Sequence, residues 1–218
     1  AAAELRHSVR QGVMRGLGED VVSEESGSVS ELGSVGELGS VGELGSAGDG
    51  QKEDELAGDD AQLTGPERAE AALAASGMPF RMVRHGPVAS IAEAAAARGV
   101  EVRDLIKTLV VRRRAGEYLF VLVPGDRTIS WPKLRAHLGV SRLTMADAEV
   151  AREITGYERG TITPFGATTA WPVIADATIP GRTVSIGAGG HGVAAILSSD
   201  DLISATSAEV ADVTEPTE

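Results

Sequence analysis

The sequence predicts a single mixed α/β (α+β) domain over residues 65–218, preceded by a disordered tail over residues 1–64. Three observations predict it. From Thr64 onward, short segments of strand period are interleaved with segments of helical period. Glycine and proline stand where those segments must end. The first 64 residues instead repeat a hexapeptide, Gly27-Ser-Val-Ser-Glu-Leu32, then Gly33-Ser-Val-Gly-Glu-Leu38 and Gly39-Ser-Val-Gly-Glu-Leu44, and run into an acidic stretch from Glu53 to Asp60. Such short Gly/Ser-rich repeats bury too little apolar surface to offset the entropy of ordering the chain, so a tail is expected rather than a solenoid.

The first folded element is a helix opened by a Thr64 cap and Pro66, with Glu67 and Glu70 in its first turn, ending near Gly77. Phe80 to His85 alternates as a strand. An alanine-rich helix from Ser90 to Arg98 closes at Gly99, and its small side chains suit close packing on a sheet. Leu105–Val111 and Tyr118–Val123 read as a hairpin turning at Ala115-Gly116, the second strand ending at Pro124-Gly125-Asp126. Trp131–Leu138 and Thr144–Glu153 have helical spacing, the latter starting at a threonine. After a loop from Gly156 to Gly166 come three β-like segments, at Val173–Ile174, Thr183–Ile186 and Val193–Leu197. A helical turn from Ser199 and a strand near Glu209–Val213 complete the domain.

The formal net charge of -12 is unevenly distributed. Residues 1–64 carry 4 basic and 14 acidic residues, whereas residues 65–208 carry 16 basic and 14 acidic, so the domain is near neutral and compatible with a nucleic-acid partner. The absence of cysteine excludes disulfides, thiolate metal sites and a cysteine nucleophile. No run approaches the roughly 20 apolar residues of a spanning helix, and no secretory signal pattern opens the chain, so a cytoplasmic protein without a membrane partner is expected.

Lys107 lies in the apolar strand Leu105-Ile-Lys-Thr-Leu-Val-Val111, where alternation places it on the face of Leu105, Leu109 and Val111. An ammonium there must pair with a carboxylate, line a cavity, or snorkel at the sheet end. Gly160-Thr-Ile-Thr-Pro-Phe-Gly166 is barred from regular helix or strand by its glycines and proline. It is either a connecting turn or a shaped loop that offers backbone N–H groups to a ligand. Gly187-Ala-Gly-Gly-His-Gly192 has the G-x-G-x-x-G spacing of dinucleotide sites, but the segment after it reads as a strand where that fingerprint needs a helix. A glycine-rich hairpin leaving room for substrate, with His191 at its tip, fits better. Asp176 either accepts a hydrogen bond in a site or caps a turn. The run Arg112-Arg113-Arg114 is either a solvated turn or a seat for nucleic-acid phosphates. His85, His137 and His191 are too widely spaced to suggest a metal, and no G-x-S-x-G elbow supports a serine triad. No metal and no cofactor are expected.

In order, Lys107-Thr-Leu-Val-Val111, Val123-Pro-Gly-Asp126, Thr155-Gly-Tyr157, Gly160-Thr-Ile-Thr-Pro-Phe-Gly166 and Asp176 resemble the YbaK/EbsC family of aminoacyl-tRNA deacylases, relatives of the editing insertion of bacterial prolyl-tRNA synthetases. The resemblance runs from about Pro66 to Val213. It implies a compact fold around a mixed, barrel-like sheet and hydrolysis of mischarged tRNAs, such as those bearing cysteine or alanine in place of proline. The implied partners are aminoacyl-tRNA and prolyl-tRNA synthetase. By resemblance Lys107, Gly160 and Asp176 form the catalytic set. Thr161, Pro164, Phe165, Gly166, Gly187, Ala188, Gly189 and His191 are expected to contact substrate, and Arg112, Arg113 and Arg114, read from their charge alone, either contact tRNA or form a solvated turn. Where many of these deacylases have Ser-Ala-Gly, this chain has Gly187-Ala188-Gly189, so any hydroxyl contact made there is missing. The same fold without cleavage, as a binding module for aminoacyl-tRNA or a synthetase, is the alternative.

Overall fold

The computed structural model describes residues 63–217, so the expected tail lies, apart from Leu63 and Thr64, outside the described residues. Helices α1 (Gly65–Ala75), α2 (Ile91–Arg98), α3 (Trp131–Leu138), α4 (Ala148–Thr155) and α5 (Ser199–Thr206) flank a large sheet. Its strands are β1 (Phe80–Arg84), β2 (Leu105–Arg114), β3 (Glu117–Pro124), β5 (Thr144–Met145), β6 (Val173–Asp176), β7 (Thr183–Gly187), β8 (Val193–Ser198) and β9 (Glu209–Ala211). The spatial order is β1-β8-β7-β2-β3-β6-β9, with β5 paired to the far end of β2. The pairs β2–β7, β3–β6 and β6–β9 are parallel, which makes the sheet mixed. A separate ribbon joins β4 (Arg127–Ile129) to β10 (Thr214–Pro216).

The central strands are buried on both faces, which is why they read as almost unbroken apolar runs. Alternation sends Ile106, Val110, Phe120 and Leu122 into the main core with Leu73 of α1 and Leu202 of α5. Val111, Leu119, Val121 and Val123 point the other way, against Leu134 of α3. The alanines Ala94 and Ala95 let α2 approach Leu105 closely, as their size suggested.

Helix starts follow their caps. Thr64 and Glu67 form a reciprocal capping box at α1, and the Ser90 hydroxyl accepts from the Glu93 N–H at α2. The helix expected from Thr144 begins instead at Ala148, with Asp147 at the cap position. Thr144 and Met145 are strand β5, paired with Arg112 and Val111. The free edge of β2 offers them ladder hydrogen bonds, and tertiary pairing overrides a helical pattern that local spacing alone supports. The hairpin at Gly187–Gly192 is present as β7–β8, where Gly189 and Gly192 adopt φ of 77° and 70°. A Cβ on Gly189 would stand 2.3 Å from the carbonyl oxygen of Gly65, so this turn and the start of α1 meet backbone to backbone.

Candidate functional site

The edge of β2 opposite β3 is shared by two strands that do not meet along it. Parallel β7 pairs with Leu105 and Ile106, and antiparallel β5 pairs with Val111 and Arg112. Between them the sheet is split, and a cavity of about 720 Å³ opens at the split. Lys107, Thr108, Gly160 and Gly187 are all on its wall, with Ile91, Ala94 and Arg98 from α2 and Met145 and Ala146 from β5 and the residue after it. The Ala146 N–H donates to the Val110 carbonyl at 3.0 Å, which identifies the even-numbered residues of β2 as those whose main-chain groups face this edge. The N–H and C=O of Thr108 therefore aim into the gap.

Lys107 is half-buried. Its ammonium donates to the carbonyl oxygens of Gly125, in the turn between β3 and β4, and of Arg127, the first residue of β4. Two of its three donors are thereby directed, leaving one for a ligand. Burial lowers its pKa from the ordinary lysine value, and the Asp126 carboxylate works in the opposite direction. Gly160 takes φ of 90°, a conformation open to glycine and strained for other residues.

Ile162 also lines the cavity, but the rest of the Gly160 loop turns away from it. Thr161, Thr163 and Phe165 are buried, and Phe165 joins the main core. The Phe165 carbonyl accepts from the Tyr157 hydroxyl at 2.7 Å, and the Thr161 carbonyl accepts from the Gly189 N–H at 3.0 Å. Gly166 is pressed against Arg68, whose carbonyl oxygen would lie 2.5 Å from an added Cβ. Of the residues expected to contact substrate, Thr161, Pro164, Phe165, Gly166, Ala188, Gly189 and His191 are absent from this cavity wall, and Gly187 is present. Ala188 is core, and exposed His191 stands 3.3 Å from Glu158. The glycine turn spends most of its room on packing against α1 and His85, not on a ligand.

Asp176 is also off the cavity. Its Oδ1 accepts from the Thr178 N–H at 3.0 Å and from the Thr178 hydroxyl, and its Oδ2 accepts from the Val213 N–H at 3.2 Å. Arg127 Nε lies 3.8 Å from it. Burial raises the carboxyl's pKa, but hydrogen bonds from Thr178, Thr214 and Val213 outweigh this and hold it below the ordinary aspartate value. Arg127 also donates from Nε to the Thr214 hydroxyl. Asp176 thus reaches the cavity at second hand, through the residue whose carbonyl holds Lys107. Arg112, Arg113 and Arg114 end β2 in solvent, with Arg114 paired to Glu117. Among the described residues, no three His, Asp or Glu side chains are grouped to hold a metal.

Sequence reading passed over Arg98, Thr108, Met145 and Arg159, all on the wall. The i, i+3, i+7 spacing of Ile91, Ala94 and Arg98 was the available signal, since it puts an arginine on the packing face of α2.

A model of the aminoacyl-tRNA editing domain family matches residues 85–205. The proline--tRNA ligase of Thermosipho africanus is 39% identical over 80 residues, covering 37% of this chain and 14% of the ligase. That of Syntrophotalea carbinolica is 35% identical over 120 residues, covering 53% of this chain and 21% of the ligase. The chain therefore spans a small part of these ligases. A solved structure described as a candidate trans-editing enzyme for prolyl tRNA synthetase superposes with a TM-score of 0.65 at 28% identity, covering 70% of this chain and 98% of that one. No helix among the described residues is long and apolar enough to cross a membrane.

Proposed function

Since the chain belongs to the aminoacyl-tRNA editing domain family, we propose that it is a trans-editing hydrolase, which cleaves the ester of a mischarged aminoacyl-tRNA of the kind formed when cysteine or alanine is placed on a proline tRNA. The observation that carries this reading is the convergence of Lys107, Gly160 and Gly187, from three separate segments, on one cavity. An aminoacyl ester is already activated. Its hydrolysis requires a positioned water, donors for the developing oxyanion, and a hollow sized to the wrong amino acid, without a covalent nucleophile.

Each need has a residue. The third donor of the Lys107 ammonium counters negative charge on the ester, and the Thr108 N–H and the Gly160 backbone offer neutral donors beside it. Water attacks the ester carbonyl carbon, and its proton passes through the free terminal ribose hydroxyl to the esterified ribose oxygen as the acyl–oxygen bond breaks, releasing the amino acid and the tRNA with a free ribose diol. Asp176 contributes through Arg127, by fixing the carbonyl that aims Lys107. Arg112, Arg113 and Arg114 serve the tRNA backbone from outside the cavity. A pocket separates amino acids differing by a methylene by about 1–3 kcal/mol, which is why a second, hydrolytic selection is useful.

Incubation with a panel of purified mischarged tRNAs tests the reading. Amino acid should be released above the buffer rate from at least one proline-tRNA mischarge, and tight binding with no release would instead identify a binding module.

Gly187 offers a check on the hollow itself. A Cβ there would stand 3.2 Å from the Ile162 carbonyl oxygen, close but accommodated by a shift of a few tenths of an ångström. Gly187→Ser should fold and shift the preference between two aminoacyl esters toward the smaller one by roughly tenfold, the worth of about one methylene. Competition between alanyl and cysteinyl esters measures the shift, and an unchanged ratio would show that Gly187 does not shape the hollow.

A further inference from the structure

Three of the five large apolar side chains exposed among the described residues stand at this one cavity: Val88, Ile91 and Met145, exposed by 38%, 40% and 43%. A rim of this kind suits a flat apolar group that arrives from solvent. On the same wall, two helical turns along α2 from Ile91, stands Arg98. No carboxylate among the described residues pairs with it, although it is partly buried and burial lowers its pKa. A partly desolvated guanidinium lacking a counter-ion is costly to maintain, and an anionic ligand removes that cost.

Its orientation is set from outside the cavity. Arg98 Nε donates to His85 Nε2 at 3.2 Å, and His85 Nδ1 lies 2.7 Å from the Gly86 carbonyl oxygen. A ring nitrogen that accepts carries no proton, and one facing a carbonyl must carry it, so these contacts fix His85 as the neutral Nδ1–H tautomer. Arg98 keeps both terminal nitrogens for a ligand, in the planar fork that matches phosphate oxygens.

We propose that the cavity mouth binds a nucleoside 5′-phosphate, with the base on Val88, Ile91 and Met145 and the phosphate on Arg98, which His85 positions. Resting on the editing reading, this makes the mouth the seat of the terminal nucleotide of the tRNA, with the aminoacyl ester reaching inward toward Lys107. The phosphate contact anchors the acceptor end without touching the reacting atoms.

Calorimetric titration with AMP and with adenosine, at one ionic strength, tests the assignment. Wild-type protein should bind AMP roughly tenfold or more tightly than adenosine, the worth of one hydrogen bond to a charged group. In Arg98→Leu the ratio should fall toward one, and in His85→Leu it should fall part of the way. Met145→Asp should weaken adenosine and AMP alike. Equal affinities in the wild type, a ratio that survives Arg98→Leu, or a ratio lost in Arg159→Ala and kept in Arg98→Leu would each overturn the proposal. The titration is independent of hydrolysis. Protein that binds AMP through Arg98 but releases no amino acid from any mischarged tRNA would refute the hydrolase and leave the nucleotide seat standing.

Discussion

Lys107→Ala is expected to lower single-turnover deacylation by roughly 100- to 1,000-fold, the loss that follows removal of one pre-aimed donor to a developing oxyanion. The argument rests on how the ammonium is held. Carbonyls of Gly125 and Arg127 take two of its hydrogens, so the remaining one has a fixed direction before substrate arrives and little reorganisation remains in the transition state. Lys107 is half-buried and pairs with no carboxylate directly, so its removal should leave the melting temperature within a few degrees of wild type. Rate and melting curve are measured on the same preparation. A rate within threefold of wild type in a folded variant would remove Lys107 from the chemistry.

Asp176→Ala should do the reverse, damaging the fold more than the chemistry. The substitution strands the Val213 and Thr178 N–H groups and leaves Arg127 without its carboxylate, for a loss of about 2–4 kcal/mol, or roughly 5–15 °C in melting temperature. The pH dependence carries a sign. Native Asp176 holds its proton less tightly than the unfolded chain does, so its stabilisation is fully present above the unfolded carboxyl value of about 4 and is lost as pH falls below that toward the native value. Asp176→Asn should flatten this acid limb of the stability curve. Folded Asp176→Asn should retain most of the deacylation rate, with a fall of at most about tenfold from looser aim of Lys107. A loss as large as that of Lys107→Ala, with the fold intact, would return Asp176 to a direct chemical role.

Elements whose cores are built by local period were legible in the sequence. The strand at Phe80, the helix capped by Ser90, and the Leu105–Val123 hairpin all announce themselves through alternation or caps. Thr144 misled because its spacing is helical and the partner that recruits it into a strand, Arg112, lies 32 residues earlier in the chain. The Gly160 loop was correctly read as irregular, but irregularity does not say which way a side chain points. Phe165 and Thr161 face the core because Tyr157 and Gly189 hold their carbonyls. Helical spacing puts Arg98 on the packing face of α2, but only the fold brings it beside His85 at the mouth of a cavity.

The break along the edge of β2 divides labour between two kinds of atom. In the proposed hydrolase, features common to every aminoacyl ester, its carbonyl and its ribose oxygens, would face main-chain groups such as the N–H and C=O of Thr108, which a change of side chain there leaves in place. Features that differ between amino acids would face the side chains of the surrounding wall, which a point mutation alters directly. A hydrolase built this way can exchange one clientele for another while its reactive machinery stays as it was.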